Sequence, residues 1–142
     1  MNTWSFDLPI PPSVNATHRH GGGRCWLSTE YRAWRMAAQM TLAGQTSGWV
    51  DKPVAPYRVW VEIRGGSGWR ADRDMDNTGK AVLDLLVLAG LIEDDSTRFV
   101  KRLYFEFEEA EKGRRSEMMV TVEEFRRSIP PKKRQQPITD LI

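Results

Sequence analysis

The chain has one cysteine, Cys25, and two histidines, His18 and His20, among its 142 residues. A disulfide framework is excluded, and no CxxC or Cys/His spacing exists for a tetrahedral zinc site. Long apolar runs are also missing. The longest, Ala81 to Ile92, is broken by Asp84 and Gly90 and falls short of a bilayer's thickness. Nothing in the chain reads as a charged-then-apolar leader, so the expectation is a soluble protein of a reducing cytoplasm with no membrane partner. An excess of one charge is lacking too: 21 Lys and Arg stand against 19 Asp and Glu, a formal net charge of +2. No internal repeat occurs.

What is present is one domain's length of chain, enough to bury roughly two-thirds of its unfolded surface without a staple. The basic residues gather at Arg19 to Arg35, Arg64 to Arg73, Lys101-Arg102 and Arg126 to Arg134, while Glu106 to Glu111 is acidic. A composition with 28% charged residues explains any single cluster as solvation. Basic clusters beside a group of carboxylates favour a polyanionic partner.

Periodicity orders the elements. Trp4 to Leu8 alternates as a short strand and is stopped by Pro9 to Pro12. Ser13 to Leu27 reads as a flexible cationic loop holding Asn15, Arg19, His20 and Arg24 beside three glycines. Ser28 caps a helix expected over about Thr29 to Leu42, with Tyr31, Trp34, Ala38 and Thr41 on one stripe and Gly44 near its end. Tyr57 to Ile63 alternates as a strand, and Gly65 to Arg70 reads as a mobile loop carrying Trp69 and cations. A helix expected from Asn77 to Ala89 is apolar nearly all round, with Val82, Leu85, Leu86 and Ala89 on one face, so it is buried on several sides. Arg98 to Glu108 and Met118 to Glu123 alternate as two strands joined around Lys112-Gly113. The expected fold is α+β, a single small domain with a mixed sheet of about four strands in β-α-β-α-β-β order packed on two main helices. The domain covers residues 1–125, and residues 126–142 form a basic tail expected to lack fixed structure.

The chemistry concentrates in Arg73-Asp74-Met75-Asp76-Asn77-Thr78-Gly79-Lys80, with Asp94-Asp95 following. In an extended segment Asp74 and Asp76 leave the same face about 6.5–7 Å apart, a spacing at which two carboxylates can grip one divalent cation. Lys80, four positions after Asp76, returns to the same side of a helix starting near Asn77. Hard oxygen donors for Mg²⁺ beside an ammonium suit phosphodiester hydrolysis, in which water and the departing oxyanion both need positive charge. The plain readings are that Asp76 is an ordinary N-cap and Asp94-Asp95 ordinary turn residues. Neither accounts for Asp74 as well, nor for a lysine in a first helical turn, where the helix dipole disfavours a cation.

Rival motifs fail on the same residues. Counted from Asp72, an EF-hand loop would need Gly where Asn77 stands and Glu where Leu83 stands. A DxDxT phosphatase would need a buried strand before Asp74, and Gly65 to Arg73 is no such strand. His18 and His20 read as phosphate donors rather than ligands, since no further His or Cys lies nearby.

Pro9 to Asn15, Arg73 to Asn77, Lys80 and Gly90 to Asp95 together resemble the RusA-type Holliday junction resolvases over about residues 1 to 124. The resemblance implies a Mg²⁺-dependent homodimeric endonuclease, of bacteria or their phages, that resolves four-way DNA junctions by paired symmetric nicks in recombination and repair, with Mn²⁺ as an alternative ion. The catalytic set it implies is Asp74, Asp76, Lys80 and Asp95, with the three aspartates as metal ligands. Asn15, Arg19, His20, Arg24, Trp69, Arg70 and Arg73 are the expected DNA contacts. A thirteen-residue helix spans about 19 Å, so Asp95 either folds back onto its own site or completes that of a second subunit. A general metal-dependent structure-selective nuclease and a non-catalytic DNA-binding protein are the alternatives.

Overall fold

Alternating burial builds the sheet, and two amphipathic helices cover one face of it. The computed structural model describes residues 2–12 and 18–125, and of residues 18–20 and 24–27 only the backbone. In chain order the elements are β1 (Thr3–Leu8), β2 (His18–Gly21), β3 (Arg24–Leu27), α1 (Thr29–Thr46), β4 (Tyr57–Gly65), α2 (Met75–Leu88), β5 (Val100–Glu109) and β6 (Glu117–Glu124).

Tyr57, Val59, Val61 and Ile63 of β4 are buried, as are Met118, Val120 and Val122 of β6 and Phe6 and Leu8 of β1. Period-two side-chain alternation puts these residues on one face. The four-stranded sheet runs β1-β6-β4-β5. Its β1–β6 and β6–β4 pairs are antiparallel, while β4 and β5 are parallel. A parallel pair needs a crossover, and α2 supplies it. This is the mixed sheet with two helices that the sequence leads one to expect. No described helix is long and apolar enough to cross a membrane.

Four expectations need correction. The stretch before α1 holds a two-stranded hairpin, β2 with β3, in which Gly21 pairs with Arg24. Gly22 and Gly23 adopt φ of 56° and 75°, the left-handed pair that a two-residue hairpin turn requires. Asn15 lies outside the described residues, as do residues 126–142.

The helix α1 runs on to Thr46, past Gly44, and its buried stripe is Tyr31, Trp34, Ala38 and Leu42, with Thr41 exposed. Thr41 instead turns its hydroxyl back onto the Ala37 carbonyl at 2.9 Å. The helix α2 begins two residues earlier than expected, at Met75, and Ala89 is exposed beyond its end. Its buried side chains include Val82, Leu83, Leu85 and Leu86, so it is covered on more than one side. Gly90, at φ 74°, ends it in the left-handed conformation usual after a helix.

The loop after β4 is tied to its neighbours. The Gly66 N–H donates to Ser116 Oγ at 3.0 Å and the Ser67 N–H to the Arg114 carbonyl at 2.9 Å. Trp69 packs on Phe107 with ring centroids 5.3 Å apart, so the loop expected to be mobile is pinned to β5 and to the β5–β6 turn.

Candidate active site

The parallel strands β4 and β5, with α2 between them, fix where the chain enters α2. Arg73 is the last anchor before the carboxylates. Its guanidinium lies 4.8 Å from the Trp69 ring centroid and donates to the Pro11 carbonyl. Loss of solvent there lowers its pKa from the ordinary arginine value. Arg70, by contrast, is exposed and pairs with Asp72 at 2.9 Å.

Asp74 is the N-cap of α2, in extended conformation, yet its side chain makes no capping bond to the helix. Asn77 Nδ2 approaches its Oδ2 at 3.3 Å. The carboxylate is therefore not engaged by the orphan N–H groups that an N-cap usually satisfies. Asp76 lies in the first turn, exposed, its Oδ1 accepting the Asn77 N–H at 2.8 Å. The N-cap role considered for Asp76 thus belongs to Asp74.

Lys80 is the sixth residue of α2, beyond the first turn, so the dipole argument for its peculiarity loses force. Its surroundings restore the point. Nζ lies 2.8 Å from Asp95 Oδ2 and 3.0 Å from Asp84 Oδ1. The hydrogen bond with Asp95, then that with Asp84, holds its pKa well above the ordinary lysine value. Tyr31, at the start of α1, feels the charges of Asp84, Arg35 and Lys80, although burial is the main cause of its raised pKa.

Asp95 thus folds back onto Lys80 of its own chain. Leu91 and Ile92 are buried and anchor the return. Tyr57 donates its hydroxyl to Glu93 Oε2 at 2.5 Å, and Lys52 Nζ donates to the Gly90 carbonyl. Asp94 is a turn residue, its pKa lowered chiefly by a bond with the Ser96 side chain.

Asp74, Asp76 and Lys80 therefore lie along the start of α2, and the Asp95 turn closes on Lys80. Among the described residues no three His, Cys, Asp or Glu side chains form a ready-made metal cage. The donor chemistry nevertheless fits Mg²⁺: two exposed carboxylates, one with no capping duty, would serve an ion that keeps much of its shell as water and substrate oxygens. Of the expected DNA contacts, Arg19 and His20 lie on β2 and Arg24 on β3, while Trp69 and Arg73 are packed together. Asp84 was missed from sequence, although its position four residues after Lys80 is the helical spacing for an ion pair.

The profile of the family described as "Endodeoxyribonuclease RusA" matches residues 9–123. The protein called "Crossover junction endodeoxyribonuclease RusA" in Shigella sonnei (strain Ss046) is 36% identical over 97 residues, covering 68% of this chain and 77% of that relative. Proteins of the same description in Escherichia coli (strain K12) and Enterobacteria phage 82 match with the same identity and coverage.

Proposed function

The chain belongs to the RusA family of endodeoxyribonucleases, and from that premise we propose that it is a crossover junction endodeoxyribonuclease that resolves Holliday junctions. In this reading it works in a bacterial cytoplasm, encoded by the host or a phage, as a homodimer that places paired, symmetric nicks in four-way DNA. It depends on Mg²⁺, with Mn²⁺ as a stand-in.

The observation that carries the reading is the closure of Lys80 on Asp95, which joins the two sequence segments of the motif in one place. Asp74 and Asp76, with Asp95, would hold the divalent cation. When bound, such an ion supplies positive charge that activates water and offsets the departing oxyanion.

The chain's own groups do the rest. Two carboxylates keep the Lys80 ammonium protonated, so it acts as a donor to a phosphate oxygen rather than as a base. Asp95 gives Lys80 only its Oδ2, so Oδ1 is the oxygen it could offer a cation. Asp84, one helical turn beyond, stays on the ammonium and keeps it placed. Arg70, Asn15 and the β2–β3 hairpin with Arg19, His20 and Arg24 are the proposed phosphate contacts. Arg73 has N–H groups besides the one given to Pro11, and Trp69 fixes its plane.

One comparison tests this function. A mobile four-way junction, a duplex, a flap and a small phosphate ester are offered to the protein in Mg²⁺. The junction is expected to be nicked fastest, and only with the metal present. Equal cutting of all DNA forms would point to a general nuclease, and binding without cutting to a non-catalytic DNA-binding protein.

A further inference from the structure

The strand β5 lies at the edge of the sheet, and on one of its faces Phe105 meets the motif at Gly79 and Phe107 meets the loop before it. Phe105 pairs across from Val61 and Phe107 across from Ile63, so both rings stand on the face that carries the core. Each is matched by a glycine. A Cβ built on Gly79 would overlap Cζ and Cε1 of Phe105, with Cε2 3.1 Å away. A Cβ built on Gly65 would stand 2.5 Å from Cζ of Phe107.

Glycine is the poorest helix former after proline, and Gly79 sits inside α2, buried, directly before Lys80. Helix propensity does not explain a glycine there. The Phe105 ring does, because it occupies the volume that any side chain at this position would take. Gly65 admits Phe107, which carries Trp69, which in turn carries the Arg73 guanidinium beside Asp74. One ring thus acts on the turn between Asp76 and Lys80, and the other on the approach to Asp74.

We propose that Phe105, seated on Gly79, is a positioning residue for the reaction: it sets the depth and rotation of α2's first turns and so the placement of Asp76 and Lys80 relative to Asp95. Phe107 on Gly65 does the same for the Asp74 end. The claim rests on the nuclease reading given above. It adds that ring and glycine form a size-matched pair, so that a change in one is corrected by a change in the other.

The test compares the native protein with Gly79→Ala, Phe105→Leu and the double variant. Leucine has no atoms at Cζ or Cε, where the added methyl would collide. Gly79→Ala is expected to slow single-turnover nicking by about 10- to 100-fold, the scale on which a displacement of about 1 Å acts. It should also raise the Mg²⁺ concentration for half-maximal rate and leave junction affinity unchanged. Adding Phe105→Leu should recover most of both losses, a non-additivity expected only of groups in contact.

Amide hydrogen exchange over residues 76–81 and cation titration by calorimetry, both on DNA-free protein, should rank the four proteins in the same order. They report on the seat even if the native protein cuts no junction, an outcome that would overturn the nuclease reading alone. Native-like rates and exchange in Gly79→Ala overturn the seating. So does a double variant no better than Gly79→Ala. An activity loss that follows melting temperature while the half-saturating Mg²⁺ concentration stays put would reduce the contact to plain core packing and overturn it as well.

Discussion

Lys80 and Asp95 are fifteen positions apart, yet Lys80 Nζ lies 2.8 Å from Asp95 Oδ2. From Lys80 to the end of α2 the helix rises about 12 Å, so the chain must double back almost at once for Asp95 to return. Gly90 at φ 74° makes the reversal, and burial of Leu91 and Ile92 fixes its direction. The Tyr57 hydroxyl on Glu93 then holds the turn from the side of the sheet. The ammonium ties two carboxylates that would otherwise repel each other, Asp84 of α2 and Asp95 of the returning turn.

Replacing a proposed ligand should separate binding from chemistry. Asp74→Asn and Asp76→Asn each remove a negative oxygen donor with almost no change of shape, and both side chains are exposed, so folding should be intact. Nicking should fall by at least about 10²-fold, corresponding to the several kcal/mol that a bound divalent ion contributes. Junction binding should be unchanged or tighter, because a charge that repels phosphate is gone. A gel shift beside a nicking assay measures both, and near-native cleavage by both variants would exclude the metal role.

Asp84→Asn should behave differently from Asp95→Asn. The Lys80–Asp84 pair is an exposed pair one helical turn apart, worth only about 0.3–0.5 kcal/mol, so melting temperature should barely move. If Asp84 helps keep the ammonium placed while Asp95 is shared between Lys80 and the cation, nicking should still drop several-fold, in kcat rather than KM. Asp95→Asn should cost far more in kcat and should also weaken the response to Mg²⁺. Identical effects of the two variants would show that Asp84 and Asp95 share one role.

The sheet and both helices were legible because their signals are local. Val59, Val61 and Ile63 alternate, Tyr31, Trp34 and Ala38 recur at helical spacing, and Gly90 marks a helix end. The proposed site residues Asp74, Asp76 and Lys80 stand out in the sequence because a carboxylate pair with a lysine one turn on is a short-range pattern. What depends on tertiary contact was not legible. Trp69 on a glycine-rich stretch reads as mobile until Phe107 and the Arg114 carbonyl are seen to hold that loop. Gly79 reads as a weakness in a helix until the Phe105 ring is found in its place. The hairpin at Gly22-Gly23 carried a readable turn signal, but its strands are too short to show alternation.

The Tyr57–Glu93 bond should give stability a pH dependence on both flanks. Tyr57 is fully buried, and burial followed by its bond to Glu93 raises its pKa far above the ordinary 10.0. A raised pKa contributes stability that is present below pH 10 and lost as pH climbs toward the folded-state value. Glu93 is lowered from its ordinary 4.5 chiefly by the same bond, so its share is present above that pH and lost as pH falls through the folded value. Tyr57→Phe should cost about 1–2 kcal/mol near neutrality and flatten the alkaline decline. Thermal melts from pH 4 to pH 11 read this directly. An unchanged alkaline slope would assign the decline to other groups.

Paired nicking needs two sites related by a two-fold axis, which is what a homodimer provides and a four-way junction presents. One chain holds Lys80, Asp95 and the Asp74–Asp76 pair in its own fold, so each subunit should carry a whole site and a dimer should carry two. Sedimentation at micromolar concentration is expected to give twice the 16.3 kDa of one chain. Mixing native chains with Asp76→Asn chains then distinguishes the arrangements. Complete sites in each subunit predict heterodimers that nick one strand and leave its symmetric partner intact, whereas sites shared between subunits predict that one lesion weakens both. Strand-specific labels on a junction resolve the two. A monomer that still places symmetric nicks on opposed strands would refute the dimer mechanism, since one site would have to rebind for the second cut.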